Sequence, residues 1–592
     1  MDITAIVTFI GFNTLVAVLS WWKTRHDDMG HSTGYFLAGR SLPWFVIASS
    51  LYMTNISAEQ MTGLNGNAFA SGACVMAWET ISAIAVVVMA LVFLPRYLKS
   101  GIATVPQFLD LRFGRTMRMV VSFLFLYGLI VAFLPFVLYA GAITLGQMAD
   151  VSGLLGVSDR AALWIMVIAL GVIGGCYAVF GGLKAVAVSD TIYGVGLMLG
   201  GFLIPVLGLY KLGGNSVSAG WLILLENAPE RMQAVGVGSS ADIPWHTLFT
   251  GMLIINIFYW CTNQVIVQRA FGAKNLAEGQ KGVLFSGLLK LLGVAMLVLP
   301  GIIAWHLHQR GMITVPVKEI SSSGEAVLAR DLAYPLLVRY VLPPWLTGFF
   351  GAAMFGAILS SFNGGLNSLS TLFSLDIYKP LIRKNAGDSE VVFAGKIFGA
   401  VLMVVSICIA PAIGNAPGLY TLMRMAIAVI NVPILAVILM GMFSRRAPAL
   451  GGYIALPAGV LFFSYFNFIR GNDFFFFKLH WLHTAGLNLL FMMGIMVAVR
   501  YLKPLKERYI QADSGQVDIT NWKYARHASW ALLVLLMILY AVFSRIGVIG
   551  AGKDSFRNVL FILAAATGLF FSGVFLMNRF CRTQKVSELE EL

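Results

Sequence analysis

Long apolar runs recur from one end of this chain to the other, and they leave little choice of fold. By hydropathy about 15 of them are long enough to cross a hydrocarbon core, which needs roughly 20 helical residues. They lie near 3–22, 42–70, 74–97, 117–148, 161–180, 186–210, 247–267, 282–306, 346–373, 392–413, 419–443, 451–468, 482–499, 529–543 and 559–577. A membrane barrel would show short alternating strands instead, so the expected class is all-α, a polytopic protein of the lipid bilayer. Only 11% of the 592 residues are charged, against about 25% in soluble domains.

The net charge of +14 invites a nucleic-acid reading, but its distribution excludes one. With the N-terminus outside, alternate loops place about 27 Lys and Arg on the inner side and about 12 on the outer side. The basic excess is therefore a topology signal, with the C-terminus cytoplasmic. The first apolar run follows Asp2 and lacks a basic leader, so it is expected to be a retained helix. Five scattered cysteines (Cys74, Cys176, Cys261, Cys408, Cys581) show no metal-ligand spacing and no disulfide framework. The longer outer loops, near 211–245 and 309–345, mix both charge signs and read as surface turns and short helices.

The run 42–70 is longer than a single span needs, and Thr54, Asn55, Ser57, Glu59 and Gln60 crowd its middle. Polar groups at that depth are costly unless they line a site. An interrupted helix would leave bare carbonyls for an ion and side chains for a solute. The alternative is a polar cluster that joins helices. Five ionisable residues, Glu59, Glu79, Asp190, Lys290 and Arg424, fall within apolar runs, where such groups line pathways or pair, as Glu79 would with Lys290. Glu79 and Ser82 share a helical face, and Asn256, Tyr259, Trp260 and Asn263 form a polar and aromatic stripe. Such a stripe suits a sugar, or an interface belt. Ser360 and Ser361 place two hydroxyls in an apolar helix; they suit a hard cation such as sodium, or bond back to their own helix.

Several motifs in order resemble the solute:sodium symporter family, and its sugar branch of bacterial sodium/galactose cotransporters most of all. They are Tyr35 to Leu42 (YFLAGRSL), Asn55 to Gln60 (NISAEQ), Gly181 to Val186 (GGLKAV) leading to Asp190, Asn263 to Arg269 (NQVIVQR), and Asn367 to Thr371 (NSLST) leading to Asp376, Ile377 and Tyr378. The likeness runs from about Gly34 to Met442. It implies a LeuT-like inverted five-plus-five repeat, in segments 35–213 and 214–445, with extra helices in 1–34 and 446–592. It implies a discontinuous helix at the start of each repeat, one holding Asn55 and one holding Asn256. By the same likeness, sugar contacts fall on Gln60, Glu79, Ser82, Asn256 and Lys290. Sodium falls on the carbonyls of Met53, Ile56 and Ala357 and the hydroxyls of Ser360 and Ser361. Asn55 would bridge ion and solute, and Asp190 would sit on the ion's inward exit. Tyr259 would be the inner gate, and Leu64, Trp78 and Tyr420 the outer one.

Two departures from that pattern matter. Arg424 replaces a glutamine contact, and a guanidinium there would recognise an acidic sugar or reach a nearby carbonyl. Asn363 and Gly364 replace the hydroxyls of a further sodium site, so one sodium per solute is expected. One charge crossing 100 mV supplies about 2.3 kcal/mol, and a tenfold sodium gradient about 1.4 kcal/mol. Together they concentrate a neutral solute by roughly several hundred-fold; an anion moving with one sodium keeps only the chemical share. Single-sodium coupling favours a neutral sugar and Arg424 an acidic one; the retained sugar contacts decide for the neutral sugar, with a uronate or sialic acid as the alternative. No nucleophile–base pair, metal spacing or phosphate loop points to an enzyme. The expected setting is the bacterial inner membrane, and the expected partners are sodium, a small sugar and lipid, with no nucleic acid.

Overall fold

The computed structural model describes residues 2–590 apart from 28, 237–242, 321–325, 416–418, 472, 475–476 and 550–554. Among the described residues twelve helical runs are long and apolar enough to span a membrane. The count differs from about 15 for visible reasons. Two expected spans merge into one 54-residue helix, the 42–70 run is split, and the helix holding Asn256 is only 11 residues long.

The helices used below are α1 (Ile3–Thr24), α2 (Trp44–Asn55), α3 (Ala58–Ser71), α4 (Asp159–Leu212), α5 (Gly251–Cys261), α6 (Gln264–Phe271), α7 (Leu276–Leu297), α8 (Pro344–Thr371), α9 (Leu419–Phe443), α10 (Trp481–Leu502), α11 (Ala525–Val542) and α12 (Ser555–Glu590). Two small antiparallel hairpins, absent from an all-helical expectation, lie between helices. Strand β1 (Val317–Ile320) pairs with β2 (Ala326–Leu328), Val317 opposite Leu328, and β3 (Asp473–Phe474) pairs with β4 (Phe477–Lys478). They are too short to disturb an α-helical bundle.

Burial sorts the bundle. The run begun by α8 is the innermost, with 78% of its apolar window buried; the corresponding window of α1 is 17% buried and faces outward. Close packing with α4 explains the depth of α8: a Cβ added at Gly356 would strike the Tyr193 ring at 2.1 Å. Small residues at such crossings replace the hydrophobic drive that lipid removes. α4 itself turns at Gly182, whose φ of +59° belongs to glycine and whose added Cβ would meet the Tyr35 carbonyl at 3.1 Å. α1 is tied to this core by polar side chains, Tyr193 donating to Asn13 Oδ1 at 2.7 Å and Ser20 Oγ to the Ala185 carbonyl at 3.0 Å.

Candidate ion and solute site

The 42–70 run is interrupted. α2 ends at Asn55; Ile56 (φ −90°, ψ 87°) and Ser57 (φ −99°, ψ 179°) leave helical space, and α3 begins at Ala58. The Ile56 amide still reaches the Tyr52 carbonyl, and the Gln60 and Met61 amides reach the Ser57 carbonyl. Among the described residues no hydrogen bond reaches the carbonyls of Met53 or Ile56, both wholly buried. Orphaned carbonyls at this depth are what a cation satisfies.

α8 crosses the interruption with its hydroxyl pair. Ser361 Oγ donates to the Thr54 carbonyl at 2.9 Å, and Ser360 Oγ lies 3.2 Å from Thr54 Oγ1. Ala357 is buried one helical turn before Ser361. The oxygens that meet here, the Thr54 carbonyl and the hydroxyls of Thr54, Ser360 and Ser361, are neutral and fit a hard monovalent cation. Asp190 stands alongside in α4, accepting from Ser50 Oγ at 2.6 Å; Arg269 donates to that hydroxyl at 2.9 Å, its guanidinium 4.0 Å from the carboxylate. Asp190 and Arg269 are both buried. Thr54 was read as part of the polar crowd but not as a partner of the serines, and Ser50 was not singled out, because a Ser in an apolar helix gives no signal by itself.

On the other side of the break four polar side chains form one network. Glu79 and Lys290 make a buried ion pair, Gln60 donates to the Glu79 carboxylate, and Lys290 donates to Asn55 Oδ1. The Ser82 hydroxyl turns back to the Glu79 carbonyl. Beside them lies a cavity of about 80 Å³, walled by Asn55, Gln60, Tyr259, Asn263 and Asn431 among apolar side chains that include Phe125 and Phe258. Glu79, Ser82, Lys290 and Asn256 are not in that wall, and the Asn256 amide bonds the Met252 carbonyl of its own helix at 3.0 Å. Asn431 was missed; the signal available was an amide inside the apolar α9. Of the expected gate residues, Trp78 stacks on Trp481 (centroids 6.2 Å apart, planes at 22°), Leu64 is wholly buried, and Tyr259 meets Trp260 edge-on at 5.9 Å. Tyr420 and Arg424 fall on α9, and their side chains, like that of Glu59, lie outside the described residues.

A second interruption separates α5 from α6. The amides of Thr262 and Asn263 both donate to the Phe258 carbonyl, and Asn263 Oδ1 caps the Val265 amide at 3.0 Å. Two glutamines then fasten α6. Gln264 accepts from the Val105 amide at 2.9 Å and donates to the Ala103 carbonyl at 3.1 Å. Gln268 donates to the Phe36 carbonyl and to Thr371 Oγ1, both at 2.8 Å, and accepts from Ser368 Oγ at 2.9 Å. Asp376 is held by Arg118 (2.7 Å), Thr104 (3.0 Å) and Ser122 (3.2 Å), so that motif residue anchors the far end of the same bundle.

An apolar bundle whose broken span meets a buried hydroxyl pair at the Thr54 carbonyl and hydroxyl has the parts of an ion-coupled carrier. The chain belongs to the sodium:solute symporter family, whose model matches residues 35–459. It is 43% identical over 566 residues to the uncharacterized symporter YidK of Escherichia coli, covering 95% of each chain. It is 28% identical to the sodium/glucose cotransporter of Vibrio parahaemolyticus, over 91% of this chain and 98% of that one. Among solved structures, the substrate-bound outward-open state of a Na+-coupled sialic acid symporter matches with a TM-score of 0.70 at 17% identity, over 86% of this chain and 100% of that one. The fold is accordingly LeuT-like, and the chain is an integral membrane protein of a transporter family rather than an enzyme, with sodium as the coupling ion.

Proposed function

We propose that this protein carries out symport of one sodium ion with one neutral sugar of the galactose or glucose kind, by alternating access. One observation carries the choice of solute. The described cavity wall offers amides, a phenol and aromatic rings but no charged side chain, and the nearby Lys290 charge is already matched by Glu79. Amides suit hydroxyl groups, and aromatic faces suit the apolar faces of a sugar ring. The similarity to a sodium/glucose cotransporter supports the same reading.

In this reading sodium binds the carbonyls of Met53, Ile56 and Ala357 and the hydroxyls of Ser360 and Ser361. It thereby fixes the junction of α2 and α3 and, through Asn55, the solute cavity. Asn55 and Gln60 meet the sugar first; Glu79, Lys290, Ser82 and Asn256 reach it once the network opens. Leu64, Trp78 and Tyr420 close the outer side, Tyr259 closes the inner side, and sodium leaves past Asp190. Each ligand shifts the equilibrium only through its differential affinity for the two states. Segments 35–213 and 214–445 form the two inverted repeats, flanked by 1–34 and 446–592. The N-terminus faces outward and the C-terminus faces the cytoplasm of a bacterial inner membrane.

Arg424 favours a second reading, symport of an acidic sugar, because it lies one turn before the wall residue Ile427 on α9. A solute panel in proteoliposomes with an imposed sodium gradient separates the two. Neutral hexose accumulating with an inward current supports the first reading; accumulation of a uronate or sialic acid without current supports the second. Solute equilibration without accumulation would overturn both.

A further inference from the structure

Helix α6 is only eight residues long, and adjacent residues on it hold different helices. Arg269 donates to Ser50 of α2, the first half of the broken span. Its neighbour Gln268 makes three hydrogen bonds. It donates to the carbonyl of Phe36, which precedes α2, and to Thr371 Oγ1 of α8, and it accepts from Ser368 Oγ of α8. One turn earlier Gln264 holds loop 103–105, donating to the Ala103 carbonyl and accepting from the Val105 amide. Thr104 in that loop donates to Asp376, in the continuation of the α8 run. The bonds close a ring that runs from Gln264 through the loop to Asp376, back along the run to Thr371 and Ser368, and on to Gln268. Both glutamines are wholly buried.

The ring has a fixed part and a breakable part. Asp376 is held by the Arg118 guanidinium at 2.7 Å, and separating a buried charge pair is costly. The glutamine bonds are neutral, and neutral bonds exchange for water at little net cost. The elements that Gln268 joins also meet at mid-helix, where Ser361 of α8 bonds the Thr54 carbonyl of α2. They are therefore clasped twice. The glutamine clasp lies at the basic end: Arg112, Arg115 and Arg118 follow loop 103–105, and Lys274 follows α6. We propose that Gln264 and Gln268 are the cytoplasmic latch of the transport cycle, positioning residues that keep α6 on α8 while the carrier faces outward and let go when it opens inward. The latch rests on the alternating-access reading given above. Sodium joining α2 to α8 at mid-helix favours the latched state, in which the two lie together, through its differential affinity for that state.

The test is hydrogen–deuterium exchange of the full-length protein in nanodiscs, read by mass spectrometry at the peptide carrying the Val105 amide. Sodium in place of potassium should slow exchange there severalfold. Gln268→Leu should remove that protection and raise the apparent sodium dissociation constant about tenfold, because the sodium-competent state becomes the minor one. Ser368→Ala, which removes one bond of three, should do both to a smaller degree, and it replaces Gln268→Leu should that variant fail to fold. Glutamines that only brace the bundle would lower the melting temperature of these variants and leave sodium affinity untouched. That result overturns the latch, as does equal exchange in sodium and potassium by a wild type whose melting temperature sodium raises. A wild type that shows no sodium-induced rise in melting temperature overturns the ion reading itself, and the latch with it.

Discussion

The chain breaks two helices in mid-bundle, and it surrounds the two breaks differently. At the second break the amides of Thr262 and Asn263 share the Phe258 carbonyl and Asn263 caps the helix that follows, while the carbonyls of Trp260 and Thr262 receive no hydrogen bond among the described residues. At the first break no described side chain caps α3, and the carbonyls of Met53 and Ile56 receive no hydrogen bond among the described residues. What differs is the neighbourhood: Ser361 of α8 bonds the Thr54 carbonyl at the end of α2 and Ser360 lies beside the Thr54 hydroxyl, whereas glutamines fasten the helix after the second break. We propose that a hydroxyl pair beside an interruption, and not the interruption alone, makes the ion site.

That contrast can be broken or sharpened by mutation. The largest effect is expected in the charged network beside the first break. Lys290→Met alone leaves Glu79 buried and unpaired, and should destabilise the protein by about 3–5 kcal/mol in thermal unfolding. Adding Glu79→Gln should restore most of that stability, while solute uptake stays lost. Next comes the ion. Sodium at 100 times its dissociation constant should stabilise the wild type by about 2.7 kcal/mol. Ser361→Ala should cut apparent sodium affinity roughly 10- to 100-fold and remove sodium-dependent uptake while the protein still folds. Undiminished sodium dependence in that variant would remove the serine pair from the site. The smallest effect belongs to the second break, where Asn263→Ala should cost about 1 kcal/mol as a lost helix cap. There the sodium-induced rise in melting temperature should persist; its disappearance would mean that the two breaks work as one.

How much of this could be read beforehand depends on the kind of signal. The first interruption was legible because the 42–70 run is too long and too polar at its centre for a plain span. The Glu79–Lys290 pair was legible because charge in an apolar run has few ways to exist. The family likeness, not helical spacing, pointed to the serine pair as ion ligands and to a break near Asn256. Three things stayed hidden. Thr54 contributes through its carbonyl as much as its hydroxyl, and backbone carbonyls leave no trace in residue identity. Gln264 and Gln268 sat in a quoted motif, but their partners Ala103, Val105, Phe36 and Thr371 are distant in sequence and close only after folding. The helix count differed because the two runs on either side of Gly182 join through its turn into one helical run, and because a hydropathy window cannot tell that the helix around Asn256 is only 11 residues long.

The pairing of Glu79 with Lys290 also bears on the membrane voltage. A carrier must return empty after each delivery, and stray fixed charge in its interior would make that return electrical work. Here the carboxylate and the ammonium sum to zero, and Asp190 beside Arg269 does the same. Among the described residues these two pairs therefore leave no net charge for the field across the bilayer to act on.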